Sequence, residues 1–361
     1  MSSIVQLQVQ RRDLKQARVV TAPLTPPQPG EVVASIDRFA LTANNVSYAV
    51  TGESIGYWGF FPVDETWGLV PVWGFATVTA SACPEIAVGE RLYGFFPMAS
   101  HVTLQPGKVS GSGFMDMAAH RRDLPALYNR YSRLAGEPAA VAALGDARAL
   151  LFPLFATSWV LADYLEDNAA FGASQVLIAS ASSKTAFGLA WMLTREPEGR
   201  RRVIGLTSAG NLDFTRSLGL YDEVVAYEDI AGLPAGEPSV LVDMSGSGAV
   251  LQAVDDRLGA SVMANVLVGA THWDAGRRHG TLKGAAPAFF FAPAQFAKRE
   301  ADWGPGVAMR RAMEASARIA ADAGARLEVR HLQGPDAARA AWRDLLDGRT
   351  PPQAGLMLSL G

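Results

Sequence analysis

The sequence predicts an α/β protein in which a β-rich part is joined to a doubly wound parallel sheet. In the first third of the chain, short β-branched segments such as EVVASIDRFAL (31–41) are separated by Pro and Gly, a pattern typical of strands and turns. From residue 176 onward, short apolar runs alternate with helical segments, the order expected of a parallel sheet with helices on both faces. The 361 residues also exceed what a single hydrophobic core usually covers, so we expect two domains.

The elements of the first domain are predicted from changes in the hydrophobic period. GFATVTASA (74–82) and GERLYGFFP (89–97) have the period-two, β-branched pattern of strands. Residues 108–150 place charges and Ala or Leu at helical spacing, which predicts a helical insertion. Residues 151–175 predict a helix that ends at Gly172.

The second domain is predicted from four apolar runs, VLIAS, RVIGLTS, SVLVDMS and VMANVLVGA. These runs are continuous and not alternating, as expected of strands buried on both faces of a parallel sheet. A helix, a strand at 325–333, a second helix and a closing strand, GLMLSL, follow them. Because β segments stand at both ends of the chain, we expect the last segments to return to the first domain. The predicted domains are residues 1–150 completed by 326–361, and residues 151–325.

Composition and charge argue against several classes of function. The formal net charge is −3 and no long basic run occurs, so no nucleic acid or anionic membrane partner is expected. The first residues lack the apolar core of a signal peptide, and the longest apolar region, 285–297, contains two prolines and is too short to span a bilayer. The single cysteine, Cys83, allows neither an intramolecular disulfide nor a cysteine-based zinc cage. We expect a cytoplasmic protein with a small-molecule substrate.

The stretch QVLIASASSKTAFGLAWML (175–193) has the outline of a strand that turns into a helix around a dinucleotide, yet its turn contains no glycine. Glycine is usual there because a side chain blocks the approach of the backbone to the pyrophosphate. Here small side chains, serine hydroxyls and one lysine take its place, and all of them suit a phosphate. The alternative is that the serines cap the helix and the lysine is solvated. The predicted phosphate-binding residues are Ser180, Ala181, Ser183, Lys184 and Thr185.

The second strand of this domain bears on the choice of dinucleotide. VIGLTSAGN (203–211) ends without the Asp or Glu that would bind a ribose 2′-hydroxyl. Thr207, Ser208 and Asn211 offer hydroxyl and amide groups that tolerate a 2′-phosphate, which favours NADP over NAD. The alternative is an ordinary loop with a helix cap at Ser208 or Asn211.

The whole order of elements resembles the zinc-independent, quinone-reductase and enoyl-reductase branch of the medium-chain dehydrogenase/reductase superfamily. Segments similar to that branch include GEVVASIDRFALTANNVSYAVTGE, PVWGFATVTASACPEIAVGERLYGFFPMASHVTL and FATSWVLADYL. A closer likeness is to a small, uncharacterised bacterial family within it, which shares the phrases DRFALTANNVSYAV, SASSKTA and VGATHWD. The resemblance implies a GroES-like first domain, a Rossmann dinucleotide-binding second domain, NADP as cofactor and a homodimer. It implies no metal, because Gly74-Phe75-Ala76 stands where the zinc enzymes have Gly-His-Glu.

The same resemblance assigns candidate residues on the substrate and nicotinamide sides. Asn44 and Asn45 would hydrogen-bond a substrate carbonyl or the nicotinamide carboxamide, and Tyr48 would be the phenolic acid or oxyanion donor. For Tyr48 the alternative is a core tyrosine on a short helix. Further cofactor-binding residues by resemblance are Thr157, Ser245, Gly269, Ala270 and Thr271. For Thr157 the alternative is that it forms a polar pair with Ser158 in the interior of a helix.

Aromatic residues are dense between positions 57 and 73, where they could line a pocket for a flat substrate or belong to the core of the first domain. Two functions remain open at this point. The first is an NADPH-dependent, zinc-independent reductase that transfers hydride to an activated C=C or C=O of a small hydrophobic or aromatic carbonyl compound. The alternative is a cofactor-independent lyase or isomerase, or a non-catalytic small-molecule binder, on the same fold.

Overall fold

The computed structural model describes residues 3–195, 200–269, 279–324 and 326–361. The chain forms two compact units. One consists of Met1–Leu150 and Ala323–Gly361 and is called the β unit below. The other is Leu151–Asp322 and is called the α/β unit.

The first 150 residues form short strands joined by turns and short helices. The strands are β1 (Ser3–Gln10), β2 (Ala17–Pro23), β3 (Val32–Leu41), β4 (Trp67–Gly68), β5 (Pro71–Ser81), β6 (Arg91–Pro97), β7 (His101–Leu104), β8 (Pro106–Gly107), β9 (Gly113–Asp116) and β10 (Arg130–Arg133). The helices are α1 (Ala43–Val50), α2 (Gly52–Ile55) and α3 (Ala139–Ala142).

Strands and helices alternate through the rest of the chain. They are α4 (Asp146–Asp167), β11 (Gln175–Ala179), α5 (Lys184–Arg195), β12 (Arg202–Thr207), α6 (Leu212–Ser217), β13 (Glu223–Ala226), β14 (Ser239–Asp243), α7 (Gly248–Leu258), β15 (Val262–Leu267), β16 (Pro287–Phe289), α8 (Ala292–Trp303) and α9 (Val307–Gly324). The chain closes with β17 (Glu328–Gln333), α10 (Pro335–Leu346) and β18 (Ala354–Ser359).

The α/β unit contains a parallel sheet in the order β13-β12-β11-β14-β15-β16. Its central strands are buried throughout, since every residue of β11 and β14 is buried. This burial explains why their sequences are continuously apolar and do not alternate. The prediction of a doubly wound parallel sheet is confirmed.

The strands of the β unit pair antiparallel, except for the parallel pair β17-β18. A three-stranded sheet has the order β2-β1-β4, and a larger sheet runs β17-β18-β3-β5-β6-β10-β9-β8, with β7 paired to β3. The C-terminal strand β18 lies antiparallel to β3, with Met357 opposite Ala40. Helix α10 is held to the start of the chain by Trp342, whose buried indole N–H donates to the carbonyl of Leu14 at 2.9 Å.

The predicted helical insertion at 108–150 is wrong. This segment contains β9, β10 and three short 3₁₀ turns, while α3 covers four residues and α4 begins only at Asp146. The side chain of Tyr131 decides the conformation, because it is fully buried, stacks on Phe114 and donates its hydroxyl to the carbonyl of Phe95 at 2.5 Å. Pairing of β10 with β6 and β9 therefore outweighs the helical spacing of the charges, as tertiary packing often does.

The dense aromatic residues belong to the core of the β unit. Tyr57, Trp58, Phe60 and Phe61 are each at most 7% exposed. The ring of Phe60 contacts those of Tyr57 and Phe95, and the ring of Phe61 also contacts Phe95. Of the six aromatic residues at 57–73, Trp67 and Trp73 alone are half-buried. The core alternative is therefore correct for most of this group, and a wide aromatic pocket is not what it forms.

Candidate functional site

The carboxyl ends of the parallel strands bring the predicted dinucleotide residues to one edge of the α/β unit. Strand β11 ends at Ala179, β12 at Thr207 and β14 at Asp243. The chain runs outward from β11 through β12 to β13 and then returns to β14 on the other side, so the strand order reverses between β11 and β14. Ligands of doubly wound sheets bind outside the carboxyl ends at such a reversal.

The turn after β11 adopts its tight conformation without a glycine. Ser180 has a φ of 58°, in the left-handed region that usually requires Gly. Its backbone N–H donates to the hydroxyl of Tyr227 at 3.0 Å. The next residue, Ala181, is buried, and its carbonyl accepts a hydrogen bond from the hydroxyl of Tyr221 at 2.8 Å. Sequence reasoning missed both tyrosines, because they lie more than 35 residues further along the chain.

Helix α5 begins directly after this turn, and Ser183 caps it. The Ser183 Oγ accepts from the backbone N–H of Ala186 at 3.3 Å, as an N-cap residue does. Its hydroxyl also lies 3.7 Å from the sulfur of Met244. The capping role was the alternative that the sequence left open for the serines, and it describes Ser183.

Lys184 is the first residue of α5 and is half-buried. Burial lowers the pKa of its ammonium group to about 8, because desolvation disfavours the charged form. At neutral pH the group still carries its proton. A cation therefore stands at the helix terminus whose first-turn amide groups have no acceptor within the helix, and both features favour an anion.

Helices α4 and α5 pack closely behind the turn. The fully buried hydroxyl of Ser158 donates to the carbonyls of Leu154 and Thr185, at 2.9 and 2.8 Å. A Cβ on Gly188 would lie 2.5 Å from the Ser158 Oγ, so a glycine is required there for helix contact. Thr157, on the same helix α4, donates its hydroxyl to the carbonyl of Pro153 at 2.9 Å and is half-buried.

The end of β12 carries a cluster of hydroxyl and amide groups. The side-chain amide of Asn211 donates to the hydroxyl oxygens of Ser208 at 3.2 Å and Ser182 at 3.3 Å. All three residues are half-buried, whereas Thr207 is 1% exposed and faces the interior. Ser182 was not predicted from the sequence, because it lies outside the every-third-residue spacing of Ser180, Ser183 and Ala186.

The end of β14 is built around Asp243, which is 2% exposed. One carboxylate oxygen accepts from the N–H of Ser245 at 2.8 Å, from its hydroxyl at 2.6 Å and from the N–H of Gly246 at 3.1 Å. Ser245 therefore faces inward and shapes this loop. At the end of β15, a Cβ on Gly269 would lie 3.0 Å from the carbonyl oxygen of Met244, so Gly269 permits a close backbone approach. Ala270 and Thr271 lie outside the described residues.

In the β unit, helix α1 carries the predicted substrate-side residues. Asn45 is 3% exposed; its amide oxygen accepts from the N–H of Thr42 at 2.7 Å, and its amide nitrogen donates to the carbonyl of Pro71 at 2.9 Å. Asn45 thus caps α1 and ties it to β5. Asn44 is half-buried, and its contact with a ligand stays a prediction.

Tyr48 is 6% exposed, with its ring centroid 4.5 Å from that of Tyr57. Its hydroxyl accepts a hydrogen bond from the indole N–H of Trp73 at 3.3 Å. Burial raises the pKa of Tyr48 well above its ordinary value, with Tyr128 adding to the rise and hydrogen bonds from Trp73 and Asn44 opposing it. The phenol is therefore neutral and keeps its proton at physiological pH.

The two units together define the fold of the medium-chain dehydrogenase/reductase class, as predicted. CurA from Vibrio vulnificus in complex with NADPH is 14% identical, with a TM-score of 0.61 and 99% of both chains covered. JamJ enoyl reductase is 13% identical, with a TM-score of 0.59 and 100% of both chains covered. TarJ from S. aureus in complex with NADPH is 10% identical, with a TM-score of 0.56 and 100% of both chains covered. At these identities the likeness establishes the fold.

The chain belongs to the family described as Protein of unknown function (DUF2855), whose model matches residues 39–351. No curated protein matches the sequence. Among the described residues, no group of three or more His, Cys, Asp or Glu side chains is arranged to hold a metal ion.

Proposed function

We propose that this protein is an NADPH-dependent, zinc-independent reductase. It transfers hydride to an activated C=C or C=O of a small hydrophobic or aromatic carbonyl compound, of the enone or quinone type. One observation at the carboxyl ends of the parallel strands carries the proposal. There, Lys184 and the N-terminus of α5 lie beside the end of β12, which bears hydroxyl groups and no carboxylate. The fold it shares with CurA and TarJ, both described in complex with NADPH, and with JamJ, described as an enoyl reductase, supports it.

The donor groups at this edge fit the charges of NADPH. Amide groups in the first turn of α5 suit the pyrophosphate, since helix N-termini bind anions, and Lys184 adds a positive charge. At the end of β12, the Asn211 amide donates to both serine oxygens. The hydroxyl protons of Ser182 and Ser208 are then available to the 2′-phosphate. An acid at this point would instead favour NADH.

Bound NADPH supplies the hydride. The residues of the chain must then orient the acceptor and stabilise the charge that develops on its oxygen. In the proposal, Tyr48 donates a hydrogen bond to that oxygen, and Asn44 helps to hold the carbonyl. The reduced acceptor then takes one proton from solvent, so hydride and proton together complete the two-electron reduction. Trp73 orients the Tyr48 hydroxyl, because an indole N–H can only donate and so occupies a lone pair of the phenol oxygen.

Fluorescence titration of the purified protein with NADPH and NADH tests the cofactor directly. We expect NADPH to bind at least roughly tenfold more tightly than NADH, as the loss of charge-assisted hydrogen bonds implies. Absence of binding of either nucleotide at high micromolar concentration would contradict the reductase and favour the cofactor-independent alternative.

The affinity for NADPH should depend on pH through Lys184. The ammonium form binds phosphate, and its pKa is about 8 in the absence of ligand. NADPH affinity is therefore fully present below about pH 8 and falls as the pH rises above it. The measurement is the NADPH Kd between about pH 7 and about pH 9.5, within which a free lysine would stay charged. Lys184→Gln should bind weakly with no such decline, and a decline of equal size in Lys184→Gln would contradict the assignment.

We further propose a cytoplasmic homodimer that pairs through the edge strand β16. This strand is at the end of the parallel sheet, and Phe289 is 47% exposed on it. Phe289→Lys should convert a dimer to a monomer in light scattering, because a charge on an edge strand blocks pairing. Met263→Lys is the matched control, since Met263 is 44% exposed in the same unit. A monomeric wild-type protein would contradict the proposal.

A further inference from the structure

The turn after β11 holds a serine in a conformation that side chains disfavour. Ser180 has a φ of 58°, and a Cβ is crowded by the following carbonyl there. Such backbone conformations persist only when the surrounding structure enforces them. In this turn, two tyrosine hydroxyls add to the backbone hydrogen bonds from Ala181 to Leu206 at 3.0 Å and from Ser183 to Ser180 at 2.9 Å.

Tyr227 binds the N–H of the first residue of the turn. Its hydroxyl accepts the backbone N–H of Ser180 at 3.0 Å. The ring packs against the hydrophobic core cluster of the α/β unit, and this packing fixes the position of the hydroxyl. This contact also engages the Ser180 amide within the protein, so the phosphate-facing donors are those further along, at the start of α5.

Tyr221 binds the carbonyl of the second residue of the turn. Its hydroxyl donates to the carbonyl of Ala181 at 2.8 Å. The ring occupies space that a side chain at Gly205 would fill, because a Cβ there would lie 2.9 Å from the Tyr221 ring and 3.0 Å from the Cβ of Ala181. A glycine is thus present in the neighbouring strand β12, where it admits the tyrosine, and not in the turn.

We propose that Tyr221 and Tyr227 are positioning residues that replace the glycines of the phosphate turn. Their two hydrogen bonds hold the N–H of Ser180 and the carbonyl of Ala181 in the conformation that glycine adopts unaided. The link from this geometry to cofactor affinity rests on the proposed function. The stabilisation of the turn by the two tyrosines does not rest on the proposed function. The stabilisation and its effect on cofactor affinity can therefore be tested separately.

The first test measures amide hydrogen exchange of the segment 178–187 in the cofactor-free protein. Tyr227→Phe and Tyr221→Phe each remove one hydroxyl and keep the ring, so we expect exchange in this segment to rise roughly tenfold, as local opening becomes easier. Tyr164→Phe is the control, since Tyr164 is a half-buried tyrosine of the same unit whose ring packs on Phe171 and Phe290. Unchanged exchange in both hydroxyl-deleted variants would overturn the proposal.

The second test asks whether the effect reaches the cofactor and can be rescued. Tyr227→Phe should raise the NADPH Kd roughly tenfold, the usual scale for one hydrogen bond. Adding Ser180→Gly should restore most of the affinity, because glycine adopts a positive φ without strain. A purely structural loss would lower the melting temperature without this rescue, and absence of rescue would count against positioning. If wild-type protein binds no NADPH, the proposed function fails while hydrogen exchange still decides the fixation of the turn.

Discussion

Replacement of Tyr48 by phenylalanine should lower kcat roughly 100-fold and leave the NADPH Kd unchanged, the scale observed when one oxyanion donor is removed. In the proposed reaction, the phenol donates to the acceptor oxygen as charge develops on it, and its raised pKa keeps the proton in place. Since Tyr48 belongs to the β unit and the nucleotide groups to the α/β unit, the loss should appear in turnover and not in cofactor binding. The measurement is NADPH oxidation with menadione and 2-cyclohexenone as acceptors.

Tyr57→Phe is the matched control for this prediction. Tyr57 is 5% exposed in the same aromatic core and bonds the hydroxyl of Tyr128 at 2.9 Å. It therefore reports what the loss of a buried phenol does to folding alone. Turnover in Tyr48→Phe equal to wild type would remove Tyr48 from the chemistry and leave it as a core residue. Equal losses in both variants, accompanied by equal falls in melting temperature, would lead to the same conclusion.

Introduction of an acid at Ser208 should reverse the choice of nucleotide. Ser208→Asp should weaken NADPH binding roughly 100-fold, because a carboxylate close to a phosphate is repelled by a few kcal/mol at an effective dielectric of about 20. NADH binding should persist or improve, since the carboxylate can accept the ribose 2′-hydroxyl. The measurement is the ratio of the two dissociation constants by fluorescence titration.

Two controls separate charge from position. Ser208→Ala should raise the NADPH Kd only about tenfold, since it removes one hydrogen bond and adds no repulsion. Ser217→Asp adds the same charge at an exposed site on helix α6 and should have little effect. An NADPH preference that survives Ser208→Asp would show that the 2′-phosphate binds elsewhere.

Local pattern predicted much of the α/β unit because its strands are buried on both faces. Continuous apolar runs such as QVLIA and SVLVD carry that burial in their composition, so the parallel sheet could be inferred without tertiary information. For the segment 108–150, the local pattern predicted helix and the prediction was wrong. There, the hydroxyl of Tyr131 bonds the carbonyl of Phe95 in β6, 36 residues away, and no local period indicates such a contact.

Some residues of the candidate site could likewise be predicted from local sequence, and others could not. Lys184 at a helix start and the absence of an acid after β12 are local features, and the sequence was enough to identify them. The sequence allowed the serines of the turn either to bind phosphate or to cap the helix. In the structure, Ser183 caps helix α5. Asn45 was expected to meet a ligand, yet its amide ties α1 to Pro71, a contact that depends on the packing of two distant segments.

The amino-acid sequence by itself determined the fold class, the position of the glycine-free turn and the non-acidic end of the second strand, because each depends on neighbouring residues. Only the tertiary structure decided how a turn without glycine is held. Its positive φ at Ser180 depends on hydroxyls from Tyr221 and Tyr227, and on the space that Gly205 leaves. Hydrogen bonds between residues 40 and 47 positions apart have no local pattern, so they become visible only once the strands are placed side by side.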